Sequence, residues 1–506
     1  MDKEKQNIGT LVATNVLWNY VGKFAEFGLT GLFFLIVGRK LGPKGYGSYN
    51  LMMTFVSSLV VILSFGFEMA MVRFVPECSA KGKDLEGIRL FKKLLLIRAV
   101  VYFIASAALF LLSDFVGSKL GEKEFLNLRG LLSLLLIGFG LRDLINSYYF
   151  AVLKIKDLSI IKIVAQSTGV ILVAVLFYNM QPRLDYALYC FTFSVIIFVV
   201  LAYSGINRIS KGYECKDGNE NTGIKSIIRF SVFTWLTSIF TFFLSGQINV
   251  LALGYLLKDP EKIGFYSSAI MIGYLPGVFI SGMAGIFLPA LTRALASGGT
   301  DSFRKTINGL AKLLIALLAP VIIFLGAYPG RVITTLLGEK FFPSASLFRV
   351  YAVFSLFNVL LLTHVTYNSL YAVRQERKVL YIRMISGAIN VGLLFLLIPV
   401  FGPLGAVIAV SMALFVQQIL EFSLLRKTVT GFYPLTFAVK TIIAALAGVS
   451  CVYFIHLRDK IGLILVGMVF AVVVVIFYKI LKLFSMEDKE RFIGLHPKAK
   501  YFSWLI

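Results

Sequence analysis

Long apolar runs recur along the whole of this 506-residue chain, and short polar stretches separate them. Each run extends for roughly 20 residues, which is the length that an α-helix needs to cross a bilayer. The runs lack the strict alternation of apolar and polar positions that membrane β-strands show. Because lipid offers the backbone no hydrogen-bond partners, the pattern predicts an all-α, polytopic membrane protein.

The pattern predicts about fourteen transmembrane helices joined by short connections. We place them at residues 11–37, 47–72, 92–113, 126–150, 158–179, 186–205, 226–256, 263–289, 308–327, 345–371, 379–398, 404–425, 434–455 and 461–482. The longest polar stretch between helices is the predicted linker. The predicted divisions are a six-helix lobe (1–205), a cytoplasmic linker (206–225), a second six-helix lobe (226–425), two additional helices (426–482) and a cytoplasmic tail (483–506).

The basic residues are distributed unequally between the two predicted sides of the membrane. Of 50 Lys and Arg residues, 33 fall on the side of the termini, 13 on the other, and four lie within or at the rim of helices. An excess of basic residues marks the cytoplasmic side. The sequence therefore predicts a multi-pass protein of the cell (cytoplasmic) membrane with both termini in the cytoplasm. The net charge of +24 then reflects topology. The sequence has no basic arm interleaved with aromatic residues, so it gives no indication of nucleic-acid binding.

The segment GRKLGPKGYGSYN (38–50) resembles a phosphate-binding loop in its glycines and lysines, but it lies between two predicted helices on the outer side. It lacks the preceding strand and the final GK[ST] of such a loop, so it predicts a tight turn. The same turn recurs after the seventh predicted helix. An offset of 217 residues aligns Pro43 with Pro260, Gly47 with Gly264 and Tyr49 with Tyr266, which predicts two repeated halves with a site between them, as in many transporters.

Polar residues in the first predicted helix are the strongest indication of a functional site. Asn15, Asn19, Lys23 and Glu26 lie on one helical face. A charge in mid-bilayer costs about 2.5–3.5 kcal/mol on insertion scales, so this face requires a polar cavity or a buried partner. Two interpretations stay open: the face lines a cavity, or Lys23 and Glu26 form a structural pair.

Further polar candidates occur in three other predicted helices. At the end of the second helix, Glu68 and Arg73 form either an interfacial ion pair or a site where Arg73 binds an anionic headgroup. In the second half, single polar side chains are interhelical hydrogen-bonding groups or ligands. These candidates are Gln247, Asn249, His364 and Asn368.

The sequence contains no recognisable catalytic motif. HExxH, GxSxG and any paired spacing of the four cysteines are absent from it. We therefore expect a non-enzyme without cofactor or metal. A coupling ion, H+ or Na+, is compatible with Glu26.

With these residues identified, the chain resembles the polysaccharide transporter family of the multidrug/oligosaccharidyl-lipid/polysaccharide exporter superfamily. The resemblance rests on GRKLGPKGYGSYNL, on FGFEMAMVRFVPE and on IPVFGPLGAVIA. It implies fourteen helices in two pseudo-symmetric lobes around a central cavity, and alternating access. It also implies a lipid-linked oligosaccharide as cargo, flipped from the inner to the outer leaflet in cell-surface polysaccharide biosynthesis. Lys23 matches the family's cationic first helix, whereas Glu26 departs from it.

The expected partners are the lipid-linked oligosaccharide, membrane lipids and glycan-assembly proteins, and we expect the protein to function as a monomer. Two other functions remain open. One is a multidrug or organic-cation antiporter of the same superfamily. In such an antiporter, carboxylates should be the dominant polar groups of the cavity. The other is a non-transporting membrane protein of glycan synthesis.

Overall fold

The computed structural model describes residues 2–80, 83–210, 224–453 and 460–485, and these residues form helices with no strand among them. The helices are α1 (Asp2–Ile62), α2 (Phe67–Ala80), α3 (Asp84–Leu120), α4 (Glu124–Asn127), α5 (Arg129–Ala151), α6 (Ile155–Asn179), α7 (Leu184–Ser210), α8 (Ile224–Phe242), α9 (Gly246–Leu257), α10 (Pro260–Gly273), α11 (Gly277–Ala327), α12 (Pro329–Leu337), α13 (Ser344–Leu360), α14 (Thr363–Ala372), α15 (Glu376–Phe401), α16 (Pro403–Thr428), α17 (Leu435–Tyr453) and α18 (Lys460–Ile480).

Eleven helices in the described part of the chain are long and apolar enough to cross a membrane, or up to twelve if α8 and α9 form one bent span. The longest two, α1 and α11, have 61 and 51 residues, and each bends at a glycine, Gly42 or Gly299. Each therefore exceeds the roughly 20 residues of a single span. The prediction of an all-α protein with about fourteen spans is confirmed.

Large apolar side chains cover the outward faces of these helices. Along α3, Leu96, Phe103 and Leu111 are 67%, 68% and 78% exposed. Such a continuous apolar surface is unfavourable in water and favourable in lipid. The protein is therefore a multi-pass membrane protein.

The chain divides into two compact units, one of residues 1–267 with 394–402 and the other of residues 268–393 with 403–506. In the first unit, α2, α3, α5, α6 and α7 share an apolar core that includes the mutually tilted rings of Phe91 and Tyr148, whose centroids are 4.5 Å apart. In the second unit, Phe324 of α11 packs on Phe470 of α18 at 4.9 Å. The predicted linker falls largely on residues 211–223, and most of the predicted tail on 486–506, both outside the described residues.

The first predicted turn is confirmed, because α1 reverses direction at Gly42. This glycine has φ 72°, which residues with a side chain rarely adopt. The rings of Phe33 and Phe34 contact the ring of Tyr49, at 6.2 and 6.0 Å between centroids. Residues this far apart in sequence would be separated by more than 20 Å along a straight helix, so the two arms of α1 pack against each other.

The two aligned turns contact each other reciprocally. A Cβ atom added at Gly47 would collide with the carbonyl oxygen of Pro260, and one added at Gly264 would collide with that of Pro43. The aligned Tyr49 and Tyr266 are both fully buried beside this contact. Gly47 and Gly264 therefore occupy equivalent environments, as the offset of 217 residues requires.

Four predicted helices are interrupted where the sequence indicated continuity. The predicted helix 47–72 ends at Ile62, because Phe65 and Gly66 have positive φ, and α2 begins at Phe67. The predicted helix 226–256 bends by 56° between α8 and α9, where Ser245 caps the new helix. The predicted helix 263–289 breaks between α10 and α11. The predicted helix 345–371 breaks at Leu362, whose φ is 61°.

Candidate functional site

The polar face of α1 allows two interpretations, a cavity lining or an internal Lys23–Glu26 pair. Glu26 binds Lys162 of α6 instead, with 3.1 Å between Oε2 and Nζ, so the structure does not form the second alternative. Helix α6 packs along α1, where the Ser159 hydroxyl donates a hydrogen bond to the Trp18 carbonyl at 3.0 Å. This packing brings the Lys162 ammonium to Glu26. Lys23 is exposed and has no ion-pair partner among the described side chains.

The structure says less about the two asparagines of this face than about its two charged residues. Asn19 is half-buried. The side chain of Asn15 lies outside the described residues, although its backbone is part of α1. The face is therefore described by Lys23 and Glu26.

Glu26 opens onto a polar cavity inside the first unit, and we call this cavity the Glu26 cavity. Its volume is about 240 Å³. A second ion pair lines it, formed by neighbouring residues Arg142 and Asp143 of α5 at 3.1 Å. The other polar lining residues are Thr30, Asn146, Gln166 and Ser194. The cavity is thus built by four helices, α1, α5, α6 and α7.

Two amide oxygens of the Glu26 cavity have no hydrogen-bond partner among the residues that the structure describes. They are Oδ1 of Asn146 and Oε1 of Gln166, both shielded by surrounding protein. An unsatisfied buried acceptor costs about 1–3 kcal/mol. The arrangement therefore favours any occupant that donates hydrogen bonds to these two oxygens.

Glu68 is part of an ion pair, but its partner is not Arg73. Its carboxylate binds Arg98 of α3 at 2.5 Å, and Arg98 is 1% exposed. Tyr102 receives a hydrogen bond from Arg98 at 3.4 Å and donates one to the Val60 carbonyl at 3.0 Å, next to the break between α1 and α2. The predicted alternative of a Glu68–Arg73 pair is wrong. The buried guanidinium of Arg98 needs a counter-ion, and the Glu68 carboxylate supplies it.

Arg73 lies instead on the exposed side of α2. It pairs with Glu77 at 3.4 Å, and both side chains are 52% exposed. Its guanidinium also covers the rings of Phe74 and Phe230, at 5.2 and 4.6 Å. An exposed pair of this kind holds a side chain weakly, which leaves Arg73 accessible to an anion.

The amides of α9 bind other helices. The Gln247 side chain donates to the Ser57 hydroxyl at 3.1 Å, and the Asn249 side chain donates to the Tyr266 hydroxyl at 2.8 Å. Asn249 is fully buried. Both contacts join helices of the first unit, which is the structural use of amides in membrane bundles.

His364 and Asn368 lie in the second unit, beside the break between α13 and α14. His364 lines a cavity of about 380 Å³ together with Tyr274, Tyr351 and Asn358. The Asn368 side chain donates to the His364 carbonyl at 2.7 Å, within one turn of its own helix. The lining of this second cavity is mostly apolar.

The predicted residues thus occupy several places rather than one. Glu26 lies at the Glu26 cavity, Glu68 on Arg98, and His364 at the second cavity. Three cavity residues were not predicted from the sequence, namely Lys162, Asn146 and Gln166. The available signal was their polarity inside predicted helices, but nothing local indicated that their faces converge on α1.

Two protein families match the chain. Residues 12–295 match the family described as polysaccharide biosynthesis protein, and residues 164–476 match the family described as lipid II flippase MurJ. Each match covers more than half of the chain. Among curated proteins, no sequence matches significantly.

Solved structures of two kinds of transporter share the fold. The lipid II flippase MurJ in an inward closed conformation has a TM-score of 0.71 at 15% identity, covering 92% of this chain and 98% of its own. An inward-facing multidrug resistance transporter of the MATE family has a TM-score of 0.63 at 16% identity, covering 80% and 95%. A transporter from Pyrococcus furiosus described by the reverse polarity of its binding pocket has a TM-score of 0.57 at 16% identity, covering 83% and 96%.

The latter two structures are described as transporters of the MOP superfamily. At these identities the structural similarity establishes the fold, and the family matches establish the relationship. The chain belongs to the families described as polysaccharide biosynthesis protein and lipid II flippase MurJ.

Proposed function

We propose that this protein flips a lipid-linked oligosaccharide, a polyprenyl diphosphate-sugar, from the inner to the outer leaflet of the cytoplasmic membrane. The observation that carries the proposal is the pair of family matches, which together extend over residues 12–476. The first family is described as polysaccharide biosynthesis protein and the second as lipid II flippase MurJ. Flipping in this proposal proceeds by alternating access and serves cell-surface polysaccharide biosynthesis.

Lys23 is the residue that we assign to the diphosphate of the cargo. It is exposed on α1 and has no ion-pair partner among the described side chains. An unpaired cation within a membrane-spanning helix is costly unless it meets an anion or water. A diphosphate headgroup supplies that anion, while the polyprenyl chain remains in lipid. Arg73, exposed and weakly paired, is a second contact for the anionic headgroup.

Orientation and energy coupling complete the proposal. The excess of basic residues on one side supports both termini in the cytoplasm. In this proposal a transmembrane gradient of H+ or Na+ drives transport. The protein acts as a monomer beside glycan-assembly proteins.

The test is a flipping assay in liposomes. The purified protein is reconstituted with a polyprenyl diphosphate that carries a fluorescent oligosaccharide in the inner leaflet, and an external quencher reports its arrival outside. We expect wild type to expose the sugar and Lys23→Ala to slow exposure about tenfold or more, because a charged hydrogen bond to the headgroup is lost. Lys23→Arg should retain most activity, and Lys44→Ala, at an exposed lysine of the first turn, should be neutral.

Two results of this assay would contradict the proposal. Absence of sugar exposure by wild type, with H+ and Na+ gradients imposed and several polyprenyl chain lengths tried, would exclude flipping. Equal rates for wild type and Lys23→Ala would retain the flippase and remove Lys23 from the headgroup site.

A multidrug antiporter is the second candidate, supported by the fold shared with the MATE transporter. Export of organic cations requires free carboxylates in the binding cavity. In the Glu26 cavity, however, both carboxylates are paired with basic side chains. Overexpression that confers resistance to cationic dyes would favour this candidate over the flippase.

A further inference from the structure

The charges of the Glu26 cavity are balanced. Glu26 is paired with Lys162 and Asp143 with Arg142, each at 3.1 Å, so two carboxylates meet two cations. A cavity without net charge has no strong electrostatic preference for a small cation or for a diphosphate. Its selectivity must therefore come from hydrogen bonding and shape.

The hydrogen-bonding groups that remain available in the cavity include both acceptors and donors. The amide oxygens of Asn146 and Gln166 have no partner among the described residues, and the carboxylates of Glu26 and Asp143 can accept beyond their basic partners. The same two amides carry N–H donors, and the basic partners of the carboxylates also have N–H groups beyond their ion pairs. A neutral occupant that both donates and accepts hydrogen bonds therefore matches the cavity.

Sugar hydroxyl groups match this demand. Each hydroxyl donates one hydrogen bond and accepts others, so a ring with several hydroxyls can reach acceptors on different helices at once. The volume of about 240 Å³ lies below the roughly 300 Å³ at which pockets for drug-sized ligands begin. It suits one sugar residue rather than an oligosaccharide. The ring of Phe191 adds an apolar wall.

The cavity is accessible to such a ligand. The side chains of Glu26 and Asp143 are 39% and 34% exposed, so a ligand can reach these two carboxylates, whereas the unpartnered amide oxygens lie deeper in the cavity wall. The basic partners hold the carboxylates in place. One ion pair joins the packed helices α1 and α6, and the other joins adjacent residues of α5. The acceptors are thereby oriented before a ligand arrives.

We propose that the Glu26 cavity binds a single uncharged sugar residue of the lipid-linked cargo, with Asn146 and Gln166 as the residues that select it. This inference rests on the proposed function for the class of cargo. It adds a sugar subsite, separate from the headgroup contact at Lys23. The polyprenyl diphosphate contributes affinity through Lys23, and the sugar contributes selectivity through the amides.

The experiment measures binding in detergent micelles, where sidedness plays no part. The purified full-length protein binds a fluorescent bare polyprenyl diphosphate, and competitors carrying one hexose or one N-acetylhexosamine displace it. Wild type should prefer at least one glycosylated competitor over the bare carrier. Asn146→Leu and Gln166→Leu should each reduce this preference about tenfold, the typical effect of leaving a ligand group unpaired, while affinity for the bare carrier stays unchanged.

A matched control comes from the second cavity. Asn358 also has an unpartnered Oδ1 and lines that cavity, so Asn358→Leu makes the same chemical change elsewhere. We expect it to leave the sugar preference intact. Thermal unfolding midpoints of all three variants within a few degrees of wild type would exclude loss of folding as the cause.

Three outcomes would overturn the sugar subsite: no preference for any glycosylated carrier in wild type, an unchanged preference in both cavity variants, or a preference that follows added Na+ instead of the sugar. The last would identify a cation site. A protein that shows the preference in micelles but does not flip retains the subsite and loses the proposed function. A protein that flips bare and glycosylated carriers alike retains the function and loses the subsite.

Discussion

Arg98 shows how a single buried charge organises its surroundings. It lies in the middle of α3 at 1% exposure, where an unpaired guanidinium would be very costly. Glu68 supplies the opposite charge at 2.5 Å, and Tyr102 links the guanidinium to the Val60 carbonyl. The pair therefore joins α3 to the start of α2 and to the end of α1, close to the helix break.

Removal of Glu68 should be strongly destabilising. In Glu68→Gln the Arg98 charge stays buried while its counter-ion is lost, which we expect to cost about 2–4 kcal/mol, somewhat below a fully buried pair because Glu68 is 24% exposed. The measurement is the thermal unfolding midpoint in detergent. Glu77→Gln breaks the exposed pair with Arg73 and should change stability by less than about 1 kcal/mol. Equal shifts for the two variants would contradict this assignment.

At the residue scale, the charges that need partners were recognisable from the sequence, but neither of the two pairs that it offered as alternatives is the observed one. Lys23 and Glu26 are close in sequence, and so are Glu68 and Arg73, whereas the observed partners are Lys162 and Arg98. Partners on another helix depend on how helices pack and rotate. A hydrophobic pattern does not encode these quantities for helices that are apolar on most sides.

At the scale of helices, the sequence predicted existence and type but not interruption. The break at Leu362 contains neither Gly nor Pro, so no local signal marks it. Its stability comes from α16, where the Gln418 side chain donates to the Leu361 carbonyl and to the Thr366 hydroxyl, both at 2.7 Å. A carbonyl freed by a helix break in lipid requires such a partner. The turn at Gly42, by contrast, was predictable from its glycines and proline.

The contact between the two turns predicts sensitivity to a single methyl group. Gly47→Ala and Gly264→Ala each place a Cβ against a backbone carbonyl, which cannot move as a side chain can. We expect each to cost about 1–3 kcal/mol, the usual range for overpacking. The unfolding midpoint reports the loss.

Gly28→Ala is the control for this prediction. Gly28 also lies in α1, but a Cβ added there meets nothing within 4 Å. The change should leave stability unaltered or slightly raised, since alanine favours a helix more than glycine does. Tolerance of alanine at both Gly47 and Gly264 would show that the turns separate easily.

For the whole molecule, the testable consequence is orientation. From the charge bias we expect the turn at Lys44 to lie outside and the polar region at Lys305 to lie inside. In a variant without the native cysteines, Lys44→Cys should react with a membrane-impermeant maleimide in intact cells, and Lys305→Cys only after lysis. Both lysines are exposed. The reverse labelling pattern would invert the proposed direction of transport.

The reciprocal contact of the turns has a consequence beyond packing. Gly47 meets Pro260 and Gly264 meets Pro43, which is the exchange of contacts that two identical subunits make across a dyad. A single ancestral half, paired with a second copy of itself, would form this contact twice from one sequence. After fusion the sequence of each half can change independently, but a substitution in one turn alters a contact with the other turn. Changes at Gly47 and Gly264 are therefore expected to be non-additive, because both report on the same interface.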